Sequence, residues 1–393
     1  MQVVNYILPL LTFPYLVRVL GVEYFGLLAF ATAVVSYFNI ITDYGFNLTA
    51  TREVSVHRES RQKVIEIFSA VMSIKILLMF LSFLLLTVLV FYFEKFSQDW
   101  EVYLLTFGTV VGQVLFPVWF FQGMERMKYI TYLNIVAKVI FTVAIFLFVK
   151  EQSDFYLVPL FTSLGFIVVG IWSLWIIRRV FDIRFEVQSF EILKYYFLDG
   201  WYLFKTRIFV SIYTVTNIFL LGLLTNNTVV GYYSIAEKIV NALGGLFIPA
   251  NQAIYPFMSK LYKDSRVRFS IFLKKISLVY IGISSILFML LYLFSNTIIR
   301  LVNGRMNDDI SSIYFILIFL IFTLPFGALY AQVMVTQSKN REISEIVRDI
   351  AILNVIFVPI GIYLFGATGM AWVVVALQYF IVVRYYITID KGV

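Results

Sequence analysis

IEIFSAVMSIKILLMFLSFLLLTVLVFYF, residues 65–93, decides the fold. Apart from Glu66 at its start it holds one charged side chain, Lys75, and it exceeds the roughly 17–25 apolar residues that carry an α-helix across a bilayer. Comparable runs recur along the whole chain, near 3–19, 25–45, 102–122, 129–149, 155–177, 200–224, 229–256, 271–299, 310–335, 345–365 and 367–387. The expectation is an all-α membrane protein of about twelve transmembrane helices.

Composition points the same way. With 61% hydrophobic and 14% charged residues in 393, and a mean hydropathy of +0.89, the chain lacks the polar surface needed to cover a water-soluble globule. Trp100, Tyr103, Trp201 and Tyr202 near span ends suit interfacial belts, while most of the 41 Phe read as lipid-facing filler. No cleavable signal peptide is expected, because the first apolar run has no basic lead and continues into further spans. Cysteine is absent and His57 is the one histidine, which excludes disulfides, thiolate sites and an imidazole cluster. No metal centre and no cofactor are expected.

The basic residues set the orientation. Arg52, Arg58, Arg61 and Lys63 follow the second span, Arg126 and Lys128 the fourth, and Arg178, Arg179, Arg184 and Lys194 the sixth. Lys260, Lys263, Arg266, Arg268, Lys274 and Lys275 follow the eighth, Lys339 and Arg341 the tenth, and Arg384 and Lys391 close the chain. The opposite gaps hold only Arg18, Lys95, Lys150, Arg300 and Arg305, several beside acidic residues. By the positive-inside rule both termini are cytoplasmic. The net charge of +8 belongs to these gaps, so no nucleic-acid partner is expected.

An internal repeat divides the chain. YFGLLAFA at residues 24–31 matches VVGYYSIA at 229–236, aligning Gly26 with Gly231, and QGMER at 122–126 resembles QSKNR at 337–341. The reading is two six-helix lobes related by a pseudo-two-fold axis along the membrane normal. Their bounds are 1–180 and 199–393, joined by a basic cytoplasmic loop over 181–198. A cleft between such lobes is the natural seat of alternating access. Pro9, Pro14, Pro117, Pro249, Pro256 and Pro325 are expected to interrupt or bend spans.

Ionisable groups at membrane depth cost roughly 2.5–3.5 kcal/mol each on insertion scales, so they mark cavities or partners. Here they are mainly cationic: Lys75, Lys138, Lys205, Arg207, Lys238 and Arg348, against Asp43, Asp199, Glu237, Glu345 and Asp349. Asn134 and Lys138 share a helix face, as do Arg207, Ser211 and Thr214. Glu345 is spaced to pair with Arg348 in its own helix, and Lys205 with Arg207 can snorkel to headgroups. A cationic lining favours an anionic cargo, phosphate or pyrophosphate above all. Asp43 and Glu237 are the carboxylates available for ion coupling. No nucleotide loop or soluble catalytic motif occurs, so an enzyme is not expected. The alternatives are an ion-coupled small-molecule antiporter of multidrug type and a membrane-embedded polysaccharide polymerase. The latter calls for a long polar outward loop, and none of the outward gaps is long.

NYILPLLTFPYLVRVLG at 5–21, YFG at 24–26, DYGFNLTAT at 43–51, PVWFFQG at 117–123 and QAIYP at 252–256 closely resemble the bacterial O-antigen transporters. These form part of the polysaccharide transporter group in the multidrug/oligosaccharidyl-lipid/polysaccharide exporter superfamily. The resemblance runs in order over nearly the whole chain. It implies a non-enzymatic flippase that moves an undecaprenyl-pyrophosphate-linked oligosaccharide from the cytoplasmic to the periplasmic leaflet of the inner membrane. It also implies lipopolysaccharide assembly as the setting, with an O-antigen polymerase and a chain-length regulator as partners. The motifs carry over Arg18, Asp43 and Arg52, while Lys75, Lys138, Lys205, Arg207 and Lys238 rest on their depth in the spans. Family members carry a polar lead before the first helix, whereas here the apolar run begins at once and the first span is short.

The charge pattern makes a prediction. Fluorescent-protein fusions at either end should glow and alkaline-phosphatase fusions there should be inactive, with the reverse for fusions in the 150–154 gap; active phosphatase at either end would overturn the orientation.

Overall fold

A bilayer offers no partner for backbone N–H and C=O groups, so apolar runs of this length satisfy them inside helices. The computed structural model describes residues 2–245 and 247–389, and every regular element among them is helical. Lys391 lies outside the described residues. Among the described residues eight helices are long and apolar enough to cross a membrane, or nine when Phe190–Ile212 and Thr216–Leu224, bent by 51°, count as one span. Two of the eight each hold two of the expected spans. Gln2–Asp43 breaks at Gly21 (φ 77°) and Asn340–Thr388 at Gly366 (φ 60°). Divided there, and with the less apolar pair Asn227–Gly244 and Phe247–Asp264 included, the helices correspond to the twelve expected spans.

The breaks follow side-chain chemistry only in part. Pro117 separates Trp100–Leu115 from Val118–Gly123, and Pro325 opens Leu324–Thr336 after the tighter turn Ile318–Phe322. Pro249 sits in the first turn of Phe247–Asp264, where a missing N–H costs nothing, and Pro256 lies inside that helix. The first helix, by contrast, runs through Pro9 and Pro14 and breaks at Gly21 instead. Between 178 and 198 only residues 181–189 leave the helical path. Ser69 Oγ accepts from the Glu186 N–H at 2.9 Å, and Arg61 pairs with Asp182, so this connection is tied down.

The chain forms two compact units, Met1–Thr12 with Leu28–Ser211 and Phe13–Leu27 with Ile212–Val393. In the first, Trp100–Leu115 and Leu157–Val180 approach through small residues. A Cβ added to Gly108 would stand 2.6 Å from Ser163 Cβ, and one on Gly112 would stand 2.6 Å from the Phe166 carbonyl carbon. The Ser173 hydroxyl donates across to the Leu115 carbonyl at 3.1 Å. Close backbones and cross-helix hydroxyls replace the hydrophobic drive that lipid removes. Trp119, Phe120 and Phe121 are wholly buried, beside Phe46 and Phe68. In the second unit, Tyr280 donates to Asn251 at 2.8 Å and Asn354 to Asn217 at 2.9 Å.

Two features bear on the repeat. Gly26 packs on the Asn227 carbonyl and Gly231 on the Val22 carbonyl. In the alignment of Gly26 with Gly231, Val22 pairs with Asn227, so the contact is reciprocal, the pattern a two-fold produces. The turn at 124–126 also recurs at 337–339. Glu125 (φ 55°) and Ser338 (φ 59°) are both left-handed. Arg126 N–H donates to Phe121 O at 2.8 Å and Lys339 N–H to Met334 O at 2.9 Å. The match is two residues off the register read from QGMER and QSKNR.

Gly112→Val should lower stability by about 1–3 kcal/mol by overpacking. Gly282→Ala, with nothing within 4 Å of the added carbon, should stay within about 0.5 kcal/mol. Thermal unfolding of the detergent-purified variants measures both; equal melting would remove the role given to the glycine contact.

A candidate polar cleft in the N-terminal unit

The site begins at a broken helix. Gln2–Asp43 stops at Asp43, Tyr44 (φ 48°) and Gly45 (φ 85°) turn left-handed, and Phe46–His57 resumes. Gly45 is required twice over, by its φ and because a Cβ there would stand 2.8 Å from Leu203 Cβ. The helix Phe190–Thr214 packs on this break. Tyr44 stacks on Phe197 and Phe204, each with ring centroids 4.6 Å apart.

That clamp brings two cations to two carboxylates. Arg52 donates to both oxygens of Asp199, at 3.0 and 3.2 Å, and also to Glu53. Arg207 lies 3.8 Å from Asp43, which also accepts a hydrogen bond from the Asn47 amide.

Asp43 also lines a polar cleft of about 220 Å³. Lys75 faces it from midway along Arg61–Tyr92 and is only 4% exposed. Among the described residues no hydrogen bond holds the Lys75 ammonium, although it interacts with the Asp43 charge. Four carboxamides, Asn39, Asn47, Gln113 and Asn134, complete the polar wall, with the rings of Phe116 and Phe166 beside them. Asn39 Oδ1 is buried with no protein partner among the described residues. The arrangement offers one cation, one carboxylate and several amide donors and acceptors around an aromatic face, a set able to hold a polar, hydroxyl-rich or anionic group.

The other expected positions scatter. Lys138 lines a neighbouring apolar cleft of about 140 Å³, so it does not share a lining with Asn134, although Phe166 borders both. Lys205 lies over the rings of Tyr202 and Trp201, at 4.6 and 5.7 Å, the aromatic setting of a snorkelling lysine. Ser211 is buried and bonds its own helix at Ile208 O, while Thr214 falls in the other unit. In the C-terminal unit, Lys238 lies over Phe25 and Phe13, at 4.7 and 5.7 Å, next to half-buried Glu237. Arg18 donates to the Leu301 carbonyl. Glu345 pairs with Arg341 at 3.0 Å rather than with Arg348, which takes Asp349 at 3.0 Å. Asn134 was legible from its polar stripe and does line the cleft, whereas Asn39, Asn47 and Gln113 were not, although Asn39 stands one helical turn before Asp43, a spacing that puts both on one face.

Comparison with known proteins agrees with the helical architecture. A family profile described as "Polysaccharide biosynthesis protein" matches residues 1–262. A protein of Escherichia coli (strain K12) named "Putative O-antigen transporter" is 31% identical over 375 residues, 95% of this chain and 90% of its own. A protein of the same name from Shigella dysenteriae is 27% identical over 382 residues, 93% of this chain and 91% of its own. The inward-facing structure of a multidrug resistance MATE family transporter superposes with a TM-score of 0.69 at 14% identity, over 97% of this chain and 96% of that one. The lipid II flippase MurJ, inward closed, gives 0.67 at 17% identity, over 98% and 86%. The two structures establish the fold. The profile match and the full-length relatives establish more: the chain belongs to the polysaccharide biosynthesis protein family, within the group of the bacterial O-antigen transporters that its motifs resemble.

Proposed function

We propose that this protein is a lipid-linked oligosaccharide flippase. Its cargo is an undecaprenyl-pyrophosphate-linked O-antigen or related repeat unit, carried from the cytoplasmic to the periplasmic leaflet of the inner membrane by alternating access, without enzymatic chemistry. The observation that carries the reading is Lys75, a buried ammonium with no hydrogen bond among the described residues, set in a cleft of carboxamides and aromatic rings. A cation at membrane depth is expensive even with a carboxylate such as Asp43 nearby, and persists where it serves a ligand, a partner or a pathway. Amide groups and an aromatic face suit sugar hydroxyls and ring faces, and the ammonium suits a phosphate oxygen.

The names of the full-length relatives support the class of cargo, and the basic gaps support cytoplasmic termini. Arg207 contributes a second cation at Asp43, and Lys138 borders the adjoining cleft. An antiporter for organic cations would need a carboxylate free to exchange its ion, whereas Asp43 is flanked by Lys75 and Arg207. An O-antigen polymerase and a chain-length regulator would take the cargo onward.

The test is surface polysaccharide in a host that lacks its own flippase but makes the cognate lipid-linked repeat. The wild-type chain should restore long-chain polymer. Lys75→Met, Lys138→Ala and Arg207→Ala should each reduce it at least tenfold with unchanged protein in the membrane. Full activity in all three would overturn the cationic path, and no restoration by the wild type with its cognate sugars would overturn the cargo.

A further inference from the structure

The C-terminal unit has a second cleft, apolar and about 620 Å³, within the roughly 300–1,000 Å³ of pockets that hold small ligands. Ser270, Lys274, Ser277 and Ile281 line it from one face of Arg266–Leu293, at successive steps of four, three and four. Phe322, Phe326 and Tyr330 oppose them at steps of four. Phe326 to Tyr330 and Tyr330 to Tyr386 are ring neighbours, at 5.5 and 5.7 Å.

The cleft is polar at one end only. Lys274 is exposed, and among the described residues it has no ion pair or hydrogen bond. Arg266, Arg268 and Lys275 share its end of the helix. Toward Ile281 and Phe322 the lining is hydrocarbon. Ser270 and Ile281 are eleven residues apart, about 17 Å of helix, which is a little over half of a hydrocarbon core about 30 Å thick. The cleft is therefore about as long as one leaflet is deep, with its basic end suited to the headgroups.

We propose that this cleft binds an anionic phospholipid from the leaflet at the basic end, with the headgroup phosphate at Lys274 and one acyl chain along Ser277, Ile281 and Phe326. A lone ammonium above an apolar trough complements such a molecule in both charge and length. A cargo tail that changes leaflet would need a groove long enough for both, and this one has the length of one. The site is independent of which saccharide the protein carries.

Native mass spectrometry of the purified full-length chain, titrated with phosphatidylglycerol and with phosphatidylcholine, tests this. Phosphatidylglycerol should be retained preferentially. Lys274→Ala, a surface change, should weaken that preference about fivefold, the effect of one lysine at an anionic surface. Ser277→Phe, which fills the trough, should weaken retention of both lipids. Equal retention of the two lipids by the wild type, or an undiminished preference in Lys274→Ala, would overturn the site. Displacement of bound phosphatidylglycerol by undecaprenyl phosphate at equimolar concentration would also overturn it, by assigning the cleft to the cargo tail.

Discussion

Backbone that leaves the helical ladder inside a bilayer must find its shelter in protein, and this constraint organises the molecule. Several breaks are flanked by a close approach. The Tyr44-Gly45 turn is capped by Phe197, Leu203 and Phe204, and the Gly366 turn closes so tightly that Gly361 and Gly369 meet backbone to backbone. The segment Val118–Gly123, freed by Pro117, is sealed by Val54 against Gly123 and by the Thr51 hydroxyl on the Trp119 carbonyl at 3.2 Å. Residues in the motifs DYGFNLTAT and PVWFFQG thus do structural work at least as much as chemical work.

The polar cleft depends on the same break. Ending the first long helix at Asp43 sets a carboxylate beside Arg207, and the resumed helix returns Asn47 one turn later to hold it. A continuous helix through residues 43–46 would lose the Tyr44 stack, and with it the placement of Arg207. Position and electrostatics are therefore one problem here: the turn chooses which charges meet.

Much of the architecture was legible because its cause is local. Hydrophobic length dictates spans, and Lys75 stands out in residues 65–93 because nothing near it in sequence is polar enough to explain it. What stayed hidden depends on distant partners. Lys138 and Asn134 stand one helical turn apart, yet they line different clefts, with Phe166 bordering both. Glu345 had two cations within reach along its helix and took Arg341, leaving Arg348 to Asp349, which also receives Arg384 at 3.6 Å. Pro9 and Pro14 did not break the first helix, and Gly21 did, because a positive φ needs glycine more than a bend needs proline. The carboxamides of the cleft come from four separate stretches, and no spacing rule joins Gln113 to Asn39.

The reciprocal packing of Gly26 and Gly231 has the form of an isologous dimer interface, now made by one chain. Two identical subunits must carry every group in duplicate, and a fused pair is released from that obligation. The release has been used. The span of the second half that corresponds to residues 65–93 has no charged residue between Lys275 and Arg300, so the buried ammonium at Lys75 has no twin. The two halves thus place their charges on different spans, Lys75 in one and Lys238, Arg348 and Asp349 in the other, an asymmetry that a symmetric homodimer could not adopt.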